Sequence, residues 1–433
     1  MLYALCGTLL ASLLACVPAL HVYSVAGLML SFLARSGRTV LPQRVAMFML
    51  GMVVGYSVVN TVPSLFLATP DESTAWIVLP GQKYLMQRRA HEAAALACIG
   101  STGGVLALVL LAPFAGTILS PTLQVIQPHV HWLLGAIVVY ILISEWPKGT
   151  GRGQTVPARL WDGWKSIIAG LATFCLSGLL GIILAYRSLV PVGMSVQGLM
   201  PAFIGLFAIP WILLNILSRA QVPEQHVCTS LDVTPWLLIR GVGAGVIGGL
   251  LAAVFPVITG GIGGLIAGHA TAQRDERLFI LSQGTSKTVY YVGSLLLLFI
   301  PELGLVRGGM AWMLSPLYVP HTPEEYWLAV ASMALCCALA SILLLGLSRL
   351  ATIVVSRISY RWISLGTLSL LVVLTGSLTG WGGLLIMLAA TGIGLFPVMF
   401  HSRRMNCMGV LLVPTLLSMT GLGPMVAQWL GLV

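Results

Sequence analysis

The chain of 433 residues is 58% hydrophobic and only 8% charged, with 22 lysines and arginines against 12 aspartates and glutamates. A soluble domain of this length carries about 108 charged side chains, at the usual ~25% of residues. So few charges cannot cover a surface that faces water, which excludes a soluble enzyme and a nucleic-acid-binding domain. A membrane helix needs about 20 apolar residues, so the length allows about 10–14 hydrophobic segments. We predict an all-α, multi-pass protein of the cytoplasmic membrane.

Four hydrophobic segments contain prolines or polar residues where an ordinary membrane helix is apolar. In chain order they are residues 2–34, interrupted at Pro18; 45–79, interrupted at 60–63 and 70–73; 236–268, interrupted at 256–261; and 278–300, with the polar run 282–288. Proline removes a backbone donor, so a helix kinks or stops there. Broken backbone inside a bilayer is tolerated only where it is buried in protein or lines a wet cavity. We predict broken or re-entrant helices at all four places.

The other apolar segments have the length of ordinary membrane spans. They are 92–112, 129–145, 166–186, 198–218, 326–348, 362–380, 382–398 and 407–430. Short basic clusters lie between them, as the positive-inside rule expects of cytoplasmic loops. The net charge of +10 therefore indicates membrane topology and no nucleic-acid partner.

The broken segments suggest an internal repeat. Residues 15–18, Ala-Cys-Val-Pro, resemble residues 253–256, Ala-Val-Phe-Pro, and each pattern is followed by a segment whose interior turns polar. Discontinuous helices at matching places in two halves mark the binding site of many transporters. We predict an N-terminal repeat over residues 1–190, a connecting span and loop over 191–235, and a C-terminal repeat with closing helices over 236–433.

Lys287 lies inside the apolar run 278–300, and no acidic residue occurs between 277 and 301. A charged side chain at mid-membrane costs between ~2.5 and ~17 kcal/mol, so it normally faces a cavity or a partner. We predict that Lys287 binds an anionic substrate; the alternative is a lysine that reaches the interface. Polar groups at the breaks can bind anion oxygens or simply satisfy the local backbone. The predicted substrate site comprises Lys287, His21, Ser24, Asn60, Thr61, Thr259, Gly260, Gln283, Thr285 and Ser286.

Asp71 and Glu72 follow Pro70 within an otherwise apolar stretch. Adjacent carboxylates near a broken helix can bind Na⁺ or carry a proton, and we predict that these two, with Ser73, bind the coupling ion. The alternative is a helix N-cap. Apart from that ion we predict no cofactor, no metal site and, for want of a nucleophile–base pair, no enzymatic activity.

Two stretches carry a family resemblance: residues 63–95, PSLFLATPDESTAWIVLPGQKYLMQRRAHEAAA, and residues 391–414, TGIGLFPVMFHSRRMNCMGVLLVP. They resemble the large permease subunit of tripartite tricarboxylate transporters, above all its shorter branch, common in archaea. The element from Pro18 to His21 is similar to that branch's Pro-Gly-(Ile/Leu)-His. The chain departs from the family at 282–287, where Ser-Gln-Gly-Thr-Ser-Lys replaces a Ser-Gly-Ile-Asn-Thr run.

The resemblance and the broken helices together predict a secondary transporter. It would move a small organic anion of the carboxylate class by alternating access, coupled to Na⁺ or H⁺. The alternative is a translocase for a polyprenyl phosphate or another anionic lipid carrier. Besides membrane lipid and the anionic substrate, the expected partners are a small membrane subunit and an extracytoplasmic binding protein.

Overall fold

The computed structural model describes residues 1–18, 20–36, 40–146, 155–191, 198–218, 221–256, 258–301 and 303–433. All regular structure in these ranges is helical, which confirms the predicted all-α class. Seven of the described helical stretches are long and apolar enough to cross a membrane, or eight if one bent pair is counted as a span. The protein is therefore a multi-pass membrane protein, as its composition predicts.

The helices differ widely in length. In chain order, those of the described ranges are α1 (Leu2–Leu14), α2 (Val22–Ser36), α3 (Pro42–Val59), α4 (Thr61–Phe66), α5 (Val78–Met86), α6 (Ala90–Leu111), α7 (Ala115–Ile126), α8 (Val130–Ile143), α9 (Val156–Tyr186), α10 (Met200–Phe203), α11 (Ile209–Ser218), α12 (Pro235–Val254), α13 (Gly260–Ala270), α14 (Glu276–Phe299), α15 (Gly308–Leu314), α16 (Pro323–Arg357), α17 (Tyr360–Met399), α18 (Gly409–Met419) and α19 (Gly423–Trp429). A π-turn at Ile204–Ala208 joins α10 to α11, and a 3₁₀ turn at Arg404–Met408 precedes α18.

The chain forms two compact units. Unit 1 comprises Met1–Thr122 and Asn215–Thr367, and unit 2 comprises Leu123–Leu214 and Leu368–Val433. Each unit is therefore assembled from two separate parts of the chain. This grouping differs from the predicted boundaries at 190 and 235, which concern sequence repeats. The repeat boundaries stay a prediction.

Three of the four predicted segments are interrupted, and all three lie in unit 1. Helix α1 ends before Pro18 and α2 begins after it, while α12 ends before Pro256 and α13 begins after it. In the segment 45–79, the predicted interruption at residues 60–63 is only local, because Asn60 has nearly helical angles, with φ −59° and ψ −8°. Helices α3 and α4 therefore continue as one span, and the larger break follows Phe66.

The fourth predicted interruption is wrong, because residues 278–300 lie in the continuous helix α14. No proline occurs in this helix, and several of its polar side chains find partners without unwinding it. The hydroxyl of Thr285, for example, donates to the carbonyl of Leu281 one turn earlier, at 3.1 Å. A run of polar residues by itself removes no backbone donor, so the helical hydrogen bonds persist.

Two predicted spans near the C-terminus also differ from straight helices. Residues 407–430 do not form one span, since the axis bends by 114° between α18 and α19. Gly421 between them has a positive φ of 72°, which ends α18. The predicted spans 362–380 and 382–398 meet at Gly380, whose φ of 66° kinks α17.

Glycines bring the helices that precede Pro18 and Pro256, α1 and α12, against the helices that carry the polar residues. A Cβ atom on Gly51 of α3 would lie 1.8 Å from the carbonyl oxygen of Ala4 in α1, and one on Gly245 of α12 would lie 2.5 Å from that of Ser282 in α14. Only glycine permits so close an approach of two helix backbones. Helices α1 and α12 are thereby packed directly on α3 and α14.

Candidate functional site

Lys287 of α14 is buried in unit 1, with 1% of its surface exposed. Its ammonium donates to the side-chain oxygens of Asn60 and Thr61 and, at 3.4 Å, to the carbonyl oxygen of Val58. The three protons of the ammonium thus meet three acceptors at the junction between α3 and α4. Lys287 therefore does not extend to an exposed surface of the unit.

Asp71 caps the turn that follows it. Its Oδ1 accepts from the backbone N–H groups of Ser73, at 3.0 Å, and Thr74, at 2.8 Å, and from both of their hydroxyls, at 2.8 and 2.7 Å. This is the arrangement that the capping alternative requires. Ser73, predicted with the ion-coupling residues, donates its hydroxyl to this carboxylate.

The second oxygen of Asp71 belongs to a wider network. Its Oδ2 accepts from the hydroxyl of Tyr56 and the amide of Asn60, each at 2.8 Å, and from the hydroxyl of Tyr291, at 3.3 Å. Asn60 therefore connects Lys287, which it accepts from, to Asp71, which it donates to. With so many donors on both oxygens, Asp71 has no free lone pair to offer an ion.

Glu72 extends the network to the break between α1 and α2. Its Oε1 lies 3.0 Å from the hydroxyl of Tyr291 and 3.2 Å from Nε2 of His21. The other nitrogen of His21, Nδ1, accepts from the backbone N–H of Tyr23 at 3.2 Å. A neutral imidazole that accepts at Nδ1 carries its hydrogen on Nε2. His21 therefore both caps α2 and donates to Glu72.

Glu72 also contacts the break between α12 and α13. Thr259 caps α13, accepting from the backbone N–H of Ile262 at 3.5 Å, and its hydroxyl donates to the carbonyl oxygen of Glu72 at 3.2 Å. Ser286 donates to the carbonyl of Gly260 at 2.7 Å, which holds α13 against α14 beside Lys287. The two proline breaks and the junction of α3 and α4 thus converge on one buried network.

The network has an unbalanced charge. Lys287 contributes one positive charge, Asp71 and Glu72 contribute two negative charges, and His21 is neutral in the tautomer described above. One negative charge is therefore in excess among these groups. A buried charge without a counter-charge is costly.

The ligand atoms of His21, Asp71 and Glu72 lie within 4.8 Å of one another, which is close enough to hold a metal ion. Their hydrogen bonds argue for a different use. Both oxygens of Asp71 already accept from several donors, and Nε2 of His21 is a donor in this geometry. A metal would need lone pairs at both places, so the arrangement fits a hydrogen-bonded network better than a metal centre.

The remaining predicted site residues lie outside this network. Thr285 donates to the carbonyl of Gly100 in α6 at 2.8 Å, and Ser24 is buried near the start of α2. Gln283 is buried one helical turn before Lys287, and within the described ranges neither polar atom of its amide has a hydrogen-bond partner. A role in substrate binding stays a prediction for all the named residues.

Sequence reasoning missed Tyr56, Thr74 and Tyr291. Tyr56 precedes Asn60 by four residues and Tyr291 follows Lys287 by four, so each shares a helix face with a residue that was predicted. That spacing is the signal that could have found them. Thr74 could have been identified from the capping pattern that begins at Asp71.

The multi-pass helical fold and the buried charged network at the interrupted helices define the class of this protein as a membrane transporter. The family model described as "Tripartite tricarboxylate transporter TctA family" matches residues 1–409, and the chain belongs to this family. The chain is also 27% identical over 425 residues to a protein of Methanocaldococcus jannaschii named as uncharacterized, with 96% of this chain and 98% of that protein covered. No solved structure matches. The family and the cell-membrane location predicted from sequence are thus confirmed.

Proposed function

We propose that the protein is a secondary transporter, and not an enzyme, that moves a small carboxylate across the cell membrane together with a monovalent cation. The observation that carries this proposal is the buried network in which Lys287, Asp71 and Glu72 connect the two proline breaks with the junction of α3 and α4. Charged groups are rare inside membrane segments because they are costly there, and they commonly mark transport pathways.

The cation would bind at Glu72. Among the described residues, no donor contacts its Oε2, whereas both oxygens of Asp71 are occupied. A proton or a sodium ion at Glu72 would remove the excess negative charge of the network. Asp71 would hold the turn in place and orient Tyr56 and Asn60.

The substrate carboxylate would bind beside Lys287 and the first turn of α13. The present acceptors of Lys287 are neutral oxygens and a carbonyl. A carboxylate oxygen accepts a stronger hydrogen bond from an ammonium than these groups do. The N-terminus of α13, at Gly260, adds unpaired N–H donors and a partial positive charge, and Gln283 adds an amide.

Transport would follow from a change at the breaks. The cation site includes the cap of α2 and the substrate site includes the start of α13, so occupancy of both sites would bias the positions of these two helices. Alternating access would then expose the shared site to each side of the membrane in turn. As in tripartite transporters, a small membrane subunit and an extracytoplasmic binding protein would deliver the substrate.

The test is uptake of radiolabelled di- and tricarboxylates into proteoliposomes that contain the purified chain, with and without its candidate partner subunits, under an imposed Na⁺ or pH gradient. Lys287→Met should lower uptake at least about tenfold, since it removes a charge-assisted bond worth about 1.5–3 kcal/mol. Lys83→Met is the matched control, because Lys83 is exposed and pairs with exposed Glu276. Equal uptake by wild type and Lys287→Met would contradict the proposal.

A further inference from the structure

Unit 2 contains a second buried cation, separate from the network of unit 1. Arg404, at the start of the 3₁₀ turn before α18, stacks its guanidinium over Trp211, with Cζ 4.0 Å from the ring centroid. Its Nη1 donates to the carbonyl oxygen of Phe207 at 3.0 Å. These contacts hold the guanidinium in a defined place and orientation.

The helix that carries this carbonyl is interrupted close to it. Pro210 has no backbone N–H and cannot donate to the carbonyl of Leu206, so the regular helical pattern is interrupted. The chain accommodates the interruption with the π-turn Ile204–Ala208 immediately before it. Turns of this kind are rare and occur frequently at functional sites.

Two donors of this stacked pair have no acceptor among the described residues. Within the part of the chain that the structure describes, Nη2 of Arg404 and Nε1 of Trp211 are buried and have no hydrogen-bond partner, and the same is true of Nη1 of Arg403. An arginine is charged at neutral pH. Leaving its donors buried and unpaired is costly, so the geometry is that of a site completed by an acceptor.

No carboxylate of the described residues forms an ion pair with Arg404. Glu145 lies nearby, but its Oε1 accepts from the backbone N–H of Arg403 at 2.5 Å and from the amide of Asn406 at 3.1 Å. The positive charge of Arg404 is thus left without a counter-charge from any described carboxylate. The missing acceptor should therefore carry a single negative charge.

We propose that Arg404 and Trp211 form a binding site for one singly charged oxyanion group, such as a phosphate oxygen pair. The planar guanidinium can donate from Nη2 while stacked, and the indole N–H lies in the same stacked pair, so the two can share one oxyanion. The same chemistry is offered by the phosphodiester of an anionic lipid headgroup and by free phosphate. The site is independent of the transport proposal, because it lies in the other unit.

The test measures thermal unfolding of the delipidated, detergent-solubilised full chain with phosphatidylglycerol, with phosphatidylcholine and with inorganic phosphate. Arg404→Met is compared with wild type and with Arg357→Met, an exposed arginine at the end of α16 that serves as the matched control. Phosphatidylglycerol should stabilise wild type and Arg357→Met alike. Arg404→Met should bind it at least about tenfold more weakly, the equivalent of one lost charge-assisted hydrogen bond.

If inorganic phosphate stabilises the wild type and phosphatidylglycerol does not, the site binds a free anion, and the proposed oxyanion chemistry is supported. If Arg404→Met does not fold, Arg404→Lys and Trp211→Phe carry the test. Arg404→Lys keeps the charge but loses the planar fork, and Trp211→Phe keeps a ring but loses the indole donor, so each should weaken binding. Equal stabilisation of wild type and of the folded variants by both anions, or by neither, would overturn the proposal.

Discussion

The two neighbouring carboxylates of unit 1 should respond differently to removal of their charge. Asp71→Asn and Glu72→Gln each replace one oxygen by an amino group and leave the side-chain shape almost unchanged. In Asp71 the replaced oxygen accepts from Tyr56 and Asn60. In Glu72 the replaced oxygen is Oε2, which accepts from no described donor. The glutamine can therefore still accept from His21 and Tyr291 through its remaining oxygen.

The hydrogen bonds give the magnitudes. In Asp71→Asn the capping oxygen is kept, but an amide nitrogen faces the donors of Tyr56 and Asn60. Two buried donors left unpaired cost about 1–3 kcal/mol each, so the free energy of unfolding should fall by about 2–6 kcal/mol. If Asp71 served only as a helix cap, the free energy of unfolding of Asp71→Asn should fall by no more than ~1 kcal/mol. In Glu72→Gln two bonds lose their charge assistance, which costs about 2 kcal/mol at most, and removal of the excess negative charge offsets part of it.

The assay combines equilibrium unfolding in detergent with uptake into proteoliposomes at varied Na⁺ concentration and pH. Glu72→Gln should remain folded while its uptake loses its dependence on the coupling cation. Asp71→Asn should lower stability and uptake together. Glu276→Gln is the matched control, since Glu276 forms an exposed pair with Lys83 that contributes little.

Two results would refute this reasoning. If Asp71→Asn unfolds at the wild-type denaturant concentration, the hydrogen bonds at Oδ2 do not stabilise the unit. If Glu72→Gln keeps the cation dependence of the wild type, the coupling ion does not bind at Glu72.

Three further predictions concern the same unit. Lys287→Arg should restore only part of the uptake lost in Lys287→Met, because a planar fork cannot place its donors as an ammonium does; proteoliposome uptake of both variants measures this. Tyr291→Phe removes a hydroxyl that donates to Glu72 at 3.0 Å. The loss of this hydrogen bond, worth about 0.5–3 kcal/mol, should shift the dependence of uptake on the cation or on pH. An unchanged dependence would argue against the bond. Gly51→Ala should unfold at a lower temperature, because its Cβ would lie 1.8 Å from a carbonyl oxygen of α1, while Gly346→Ala, with nothing within 4 Å, should not; equal melting temperatures would contradict the close packing.

Several features of this protein follow from local chemistry and could be predicted from its sequence. Too few charges to face water require a membrane, whatever the tertiary fold. Pro18 and Pro256 interrupt their helices because a proline lacks the backbone donor wherever the helix lies. Lys287 and Glu72 could be singled out because an ionisable group in an apolar segment needs a partner. Each of these inferences depends on residues close together in the chain.

Only the tertiary structure decided which groups become partners. Lys287 meets Asn60 and Thr61 across 227 and 226 residues of sequence, and no local pattern specifies that pairing. The same holds for Asp71, whose capping role was visible in sequence but whose second oxygen is occupied through the packing of α3 and α14. Several polar side chains of α14 find their partners on other helices. The stacked Arg404 likewise depends on a turn nearly two hundred residues earlier. Hydrogen-bond satisfaction depends on which helices pack together, and that is a property of the fold and not of a short segment.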